Sequence, residues 1–202
     1  MIVLVSGATR YPRDEKVGHL IVPRQWNTED SLDLQPGRWA MDNGGFIGFD
    51  EGAFVRMLEE FAHIDGCLFA AAPDKVGDFA ATLKRWGFWS RLIRGLRLPV
   101  AFVAQDGLQP YRMPWDELDA LFVGGTDAYK ESAEAASLMG YAKALGKWVH
   151  VGRVNGRRRY ALMLKSGADS IDGTGFSMYP DANIPKAEQW RTRTLQQPAL
   201  IE

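Results

Sequence analysis

Asp172 stands at the carboxyl end of a short strand-like stretch, Asp169-Ser170-Ile171, and runs straight into Gly173-Thr174-Gly175. In parallel α/β proteins chemistry collects where strands end and loops begin, which makes this carboxylate the first catalytic candidate. The pattern recurs along the chain. Asp42 and Asn43 follow Trp39 to Met41, Asp74 follows Cys67 to Pro73, and Gln105 and Asp106 follow Val100 to Ala104. Gly124 and Gly125 follow Leu121 to Val123; His150 lies within Trp148 to Val151, with Arg153 just beyond. Carboxylates close together push their pKa values apart, which suits one proton donor and one ionised group at a single site. Four carboxylates, two amides and two glycines at successive strand ends are more than turns alone require.

Each residue also has an ordinary structural reading. Asp172 would cap a turn before Gly173, Asp42-Asn43-Gly44-Gly45 would form a turn, and Asp74 would N-cap the next helix. A second candidate group is basic: Arg153, Arg157, Arg158 and Arg159. The last three open a helical stretch, where cations oppose the helix dipole unless something anionic binds there, and a phosphate would account for them. The stretch Lys84 to Arg97 mixes cations with Trp86, Phe88 and Trp89; its aromatics read better as core and its arginines as a solvated edge. His19 and His63 read as ordinary structural residues and Cys67 as a small core residue, while His150 is expected to point inward, towards substrate. Ser6 to Arg10 faintly resembles a phosphate loop but lacks a nucleotide fingerprint.

Eight short apolar runs must position these groups: Ile2 to Val5, His19 to Val22, Trp39 to Met41, Cys67 to Ala72, Val100 to Ala104, Leu121 to Val123, Trp148 to Val151 and Ser170-Ile171. Between several of them lie helical stretches, Glu51 to Ala62, Gly77 to Leu96, Ala128 to Leu145 and Arg157 to Lys165. Continuous apolar strands alternating with amphipathic helices predict an α/β protein with a parallel sheet buried on both faces. A small (β/α)8 barrel over residues 1–180, reduced or irregular, is the best fit, with an open doubly wound sheet behind it. The connections Ser6 to Gly18 and Asp106 to Asp119 are too short for full helices. Residues 181–202, with prolines and a polar Thr192-Arg193-Thr194-Leu195-Gln196-Gln197 stretch, read as a tail that packs on the barrel or frays.

Composition narrows the partners. The 202 residues are 46% hydrophobic and 24% charged, an ordinary globular balance. Lys and Arg number 24 against 25 Asp and Glu, so polyanion binding must come from local clusters rather than bulk charge. One cysteine excludes an internal disulfide and a multi-cysteine zinc site. No run approaches 18 apolar residues and no signal peptide is evident, which predicts a cytoplasmic protein with no membrane partner. No motif calls for a metal or other cofactor.

Four segments, in order, resemble the tRNA-guanine transglycosylase superfamily. Trp39-Ala40-Met41-Asp42-Asn43-Gly44-Gly45-Phe46 is similar to its Asp-Ser-Gly-Gly-Tyr segment, and Phe102 to Gly107 to its Val-Gln-Gly strand end. Val123-Gly124-Gly125 is similar to its Gly-Gly-Leu loop. Gly167 to Asp172 resembles the segment that ends in the family's nucleophile. The resemblance implies a barrel that holds a nucleobase at its mouth and breaks an N-glycosidic bond. By position, Asp172 would attack or electrostatically support the anomeric carbon and Asp42 would act as acid and base. Asp74, Gln105 and the Gly125 backbone would read the base edge; Asn43, Gly124 and His150 join them as substrate-binding candidates from their own places at the strand ends, and the arginine cluster, by its charge, is the candidate for DNA phosphates. Members acting on tRNA carry a cysteine-rich zinc subdomain absent from this sequence, Asn43 replaces the family's serine and Phe46 its tyrosine. The closer likeness is to short zinc-less relatives that act on DNA, including deazaguanine transglycosylases and anti-phage DNA glycosylases that excise glucosylated hydroxymethylcytosine. The expectation is a DNA glycosylase acting on a flipped, modified base of phage DNA. Exchange of guanine for a 7-deazaguanine is the alternative, followed by a non-catalytic nucleic-acid-binding module and a barrel enzyme acting on a sugar phosphate.

Overall fold

Strands that are apolar throughout need cover on both faces, and the chain supplies it by closing the sheet on itself. The computed structural model describes residues 1–6, 15–23 and 38–196. Eight parallel strands form a closed barrel in sequence order: β1 (Ile2–Ser6), β2 (Val17–Ile21), β3 (Trp39–Met41), β4 (Cys67–Ala71), β5 (Val100–Ala104), β6 (Ala120–Val123), β7 (Trp148–Val151) and β8 (Ser170–Asp172). The ring closes where β8 pairs with β1, Ile2 opposite Ser170 and Leu4 opposite Asp172. This is the (β/α)8 architecture that the alternation of runs predicts.

The described helices are α1 (Glu51–Phe61), α2 (Phe79–Gly95), α3 (Asp127–Lys130), α4 (Ala133–Ala144), α5 (Arg157–Lys165), α6 (Thr174–Met178) and α7 (Pro180–Gln196). Local chemistry starts them. Asp50 and Asp78 N-cap α1 and α2, their carboxylates accepting the Ala53 and Ala81 N–H at 3.0 and 2.9 Å. In α1 the spacing of Phe54, Met57, Leu58 and Phe61 puts four large apolar side chains on one buried stripe. Phe54 meets Trp89 of α2 and Phe49 edge-on, centroids 5.6 and 5.8 Å apart. Replacing Phe54 by alanine is therefore expected to cost about 3–5 kcal/mol of stability, read as a lower urea midpoint with an unchanged slope.

Two expectations need correction and one is met. The stretch Ala128 to Leu145 is two helices rather than one: α3 stops at Lys130, and Ser132 N-caps α4 by accepting the Ala135 N–H. The short β5–β6 connection holds a single 3₁₀ turn, Pro110–Arg112, so the barrel is reduced there, as the length of that connection predicts. Pro180 to Gln196, read from sequence as a tail, is a 17-residue helix packed against α5 and β1. Pro180 takes the first helical position, where its missing N–H costs nothing, and Trp190 lies 5.7 Å from the Tyr160 ring of α5. The possible phosphate loop at Gly7 to Arg10 and the end of the tail, residues 197–202, lie outside the described residues.

Two apolar layers result. One lies between barrel and helices; the other fills the barrel with Leu4, Leu20, Phe69, Ala101, Val103 and Phe122, among others. Side chains alternate along a strand, so the residue two places beyond an interior one faces the barrel axis one layer higher. Ala40 leads to Asp42, Val103 to Gln105, Phe122 to Gly124, His150 to Gly152 and Ser170 to Asp172. An apolar interior thus ends, at the carboxyl-terminal mouth, in a polar layer.

Candidate active site

The polar layer opens into a cavity of about 240 Å³ lined by Asp42, Asn43, Asp74, Gln105, Gly124, Gly125, Arg153 and Asp172, together with apolar side chains. β8 delivers Asp172 and the β7 loop holds it. Asp172 Oδ1 accepts the Arg153 backbone N–H at 3.2 Å and lies 3.1 Å from His150 Nε2. Oδ2 has no protein partner among the described residues, so one carboxylate oxygen is anchored and the other faces the cavity. Gly152 makes this possible: a β-carbon there would stand 2.8 Å from Phe122 Cε2. His150 is 0% exposed and does not line the cavity. It points into the barrel as expected, but its contact is with Asp172 from behind.

Asp42 sits across the same cavity. Its Oδ1 accepts the Gly44 N–H at 2.7 Å, in a turn that Gly44 enters at a φ of 71°. Removal from water pushes its pKa up from 3.8 to about 7, against the lowering pull of the Gly44 hydrogen bond; the Asp172 and Asp74 carboxylates push it further up. Asp42 therefore changes charge near neutral pH. Burial also raises the pKa of Asp74, whose two oxygens accept Asn43 Nδ2–H at 2.8 Å and Gln105 Nε2–H at 2.6 Å. The other amide atoms are committed too. Asn43 donates to the Ala72 carbonyl and accepts the Gly45 N–H, while Gln105 Oε1 accepts the Gly77 N–H. Asn43 spends both N–H groups on the protein, so it braces Asp74 and the Asp42 turn more than it reads a ligand. Glycine is required beside this network, since β-carbons at Gly45 and Gly124 would approach Asn43 Oδ1 to 2.7 Å and Gln105 Nε2 to 2.8 Å.

Arg153 crosses the mouth with a left-handed backbone, φ 58°. Its Nη2 donates to the Gly125 carbonyl at 2.6 Å and its guanidinium lies 4.2 Å from the Phe46 ring centroid. No acceptor among the described residues takes the Gly125 N–H, and Gly125 is part of the cavity lining. Phe46, 64% exposed, and Ile47, 72% exposed, form an apolar rim. The sequence does not mark either as a rim residue, because nothing local distinguishes an exposed loop phenylalanine from a core one.

The remaining arginines divide. Arg159 is committed to acids on and beside α3, its Nε 2.7 Å from Glu131 Oε1 and its Nη2 2.9 Å from Asp127 Oδ2. Arg158 also reaches Glu131, at 3.3 Å, with its side chain 88% exposed, and Arg157 is exposed. Glu131 and Asp127 thus answer the cations that open α5, and a phosphate is not needed to explain Arg159. Lys130, unnoticed in the sequence, is fully buried and ties the same acid to the β7 loop, its Nζ 3.0 Å from both Asp127 Oδ1 and the Gly152 carbonyl. Asp106 lies outside the cavity lining and clamps the β6 loop by accepting the Thr126 N–H and hydroxyl. In the basic stretch of α2, Trp86 and Trp89 are core as expected, but Phe88 is exposed. His63 is exposed, and Cys67 is half-buried with its thiol pushed up to about 12 by desolvation.

Among the described residues no cluster of His, Cys, Asp and Glu is arranged to hold a metal ion, and no helix is long and apolar enough to cross a membrane. The chemistry on offer is that of carboxylates in a small pocket, one proton-bearing near neutral pH and one anchored with a free oxygen. No protein-family model matches the chain, and no curated protein matches it significantly.

Proposed function

We propose that the protein is a DNA glycosylase that takes a flipped nucleobase into the barrel mouth and cleaves its N-glycosidic bond. The observation that carries this reading is the pairing of Asp42, whose carboxyl titrates near 7, with Asp172, whose Oδ1 is anchored and whose Oδ2 faces the same cavity. As the C1′–N bond breaks, its electron pair goes to the base and Asp42 supplies the base with a proton. The Asp172 carboxylate faces C1′ and stabilises the oxocarbenium-like charge. Water then adds to C1′ and gives a proton to the Asp42 carboxylate, leaving an abasic site and restoring both groups. Asp74, Gln105 and the Gly125 N–H border the space for the base. Phe46 offers a ring on which an extruded base stacks, and Arg153, Arg157 and Arg158 offer cations for the flanking phosphates.

The resemblance to zinc-less DNA-acting relatives points to a modified base in invading phage DNA, met in the cytoplasm, as the target. The test is incubation with phage DNA carrying glucosylated hydroxymethylcytosine and with unmodified DNA, followed by mass spectrometry of released bases and alkaline probing for abasic sites. Released modified base with matching abasic sites is expected. Incorporation of added 7-deazaguanine without abasic sites would make the reaction base exchange, and neither product from any DNA would sink both.

A further inference from the structure

His150 is buried between two aromatic rings, its centroid 5.0 Å from that of Phe69 and 4.5 Å from that of Phe122. Both of its nitrogens nevertheless have partners, Nε2 at Asp172 Oδ1 and Nδ1 at Ser170 Oγ, 2.9 Å away. Ser170 Oγ in turn accepts the Trp148 Nε1–H at 2.9 Å. The direction of the chain follows from proton counting. Trp148 can only donate, so Ser170 Oγ is an acceptor on that side, and its own proton turns to the remaining neighbour, His150 Nδ1. A ring that accepts at Nδ1 carries its proton on Nε2 and donates it to Asp172. An imidazolium would have two donors converge on Ser170 and leave the hydroxyl proton with no acceptor. The neutral Nε2–H tautomer satisfies every atom of the chain.

We propose that Trp148, Ser170 and His150 form a buried hydrogen-bonded brace in which His150 is a positioning residue for Asp172, fixing Oδ1 so that Oδ2 alone faces the cavity. The proposal rests on the reading of Asp172 as the group that faces C1′. The register supports it: Trp148, His150, Ser170 and Asp172 come from two adjacent strands, with His150 opposite Ser170. The brace therefore rises from the barrel interior to the mouth without depending on a loop. The backbone N–H of Arg153 reaches the same oxygen from the loop side, so two donors from different elements fix one carboxylate. This is the arrangement by which an orienting neighbour keeps a reactive group in its productive geometry.

The test has two arms. The first is ¹⁵N NMR of histidine-labelled protein, with His150→Gln used to assign the signal. The expected result is a single neutral ring protonated on Nε2 in the wild type, and loss of that fixed tautomer in Ser170→Ala. A ring protonated on Nδ1 only, or protonated on both nitrogens at neutral pH, overturns the brace whatever the protein's activity. The second arm is base release from DNA carrying glucosylated hydroxymethylcytosine. His150→Leu is expected to lower kcat about 10- to 100-fold with KM within about threefold, and His150→Gln, whose amide N–H can reach Asp172, to recover most of it. A His150→Leu protein that folds and keeps kcat within about twofold overturns the positioning role. Should the wild type release no base while the NMR arm finds the Nε2–H tautomer locked by Ser170, the glycosylase reading fails and the brace stands.

Discussion

Asp172→Asn is expected to abolish base release, with kcat down by at least about 10³-fold, while the protein folds normally and still binds DNA. The substitution is nearly silent in geometry. Asparagine Oδ1 can go on accepting from His150 Nε2–H and the Arg153 N–H, and its amide nitrogen takes the place of Oδ2. What changes is charge at the oxygen that faces the cavity. A carboxylate beneath C1′ stabilises a positive charge that exists only in the transition state, and with the Asp172 side chain only 18% exposed such an interaction is stronger than in bulk solvent. A neutral amide that presents N–H protons to that charge removes the stabilisation and adds a repulsive dipole. Single-turnover assays on glucosylated DNA, beside urea unfolding, check both halves. A variant that releases base at more than about a tenth of the wild-type rate would remove Asp172 from the chemistry. A variant with lost activity and a lowered unfolding midpoint would instead show that the charge matters for folding.

How much of this site is legible in the chain depends on the range of the physics. Strand identity is local: runs such as Val100 to Ala104 are apolar at every position because both faces are buried, and the polar residue after each run marks the mouth. The period of two then places Asp42, Gln105 and Asp172 over the barrel axis, so those three, with Asp74 just beyond β4, could be read from pattern alone. Which atoms they satisfy is not local. Asn43 has the same spacing whether it faces a ligand or, as here, spends its amide on Ala72 and Asp74. Arg159 looks like a phosphate ligand until Glu131, 28 positions earlier, is folded against it. Lys130 carries no signal of burial, since its place under the β7 loop is set by the turn that separates α3 from α4. The helix α7 is hidden in the sequence by Pro180 and Pro185: Pro180 takes the tolerated first position, but Pro185 lies inside the helix and removes one of its hydrogen bonds, and packing against α5, which the local sequence does not show, holds the helix despite it.

Asp42→Asn is expected to trade activity for stability, and the trade depends on pH in a way that few other substitutions would reproduce. In the folded protein the Asp42 carboxyl titrates near 7 instead of 3.8. Between those values the folded chain holds a proton that the unfolded chain has released, so the native state loses stability as pH rises through this window. The contribution is fully present below about pH 4, declines as pH climbs towards 7, and is level above it. Asparagine removes the titration while its Oδ1 can keep the Gly44 N–H. The variant should therefore match the wild type near pH 4 and exceed it by about 1–3 kcal/mol at pH 8, a figure discounted for the part of Asp42 that still meets solvent. Activity should move the other way, with base release falling about 10²- to 10⁴-fold, the usual contribution of a positioned proton donor. In the wild type the rate should decline about tenfold per pH unit above 7 as Asp42 loses its proton; in the variant that limb should flatten. Urea midpoints at pH 4 and 8, with single-turnover rates across pH 5 to 9, measure all three effects. If the pH 8 stability gain appears without loss of rate, Asp42 is a buried carboxyl that the fold tolerates and the proton reaches the base from elsewhere. If the rate falls but neither stability nor the alkaline limb changes, Asp42 contributes through contact with the base and its charge state is not the cause.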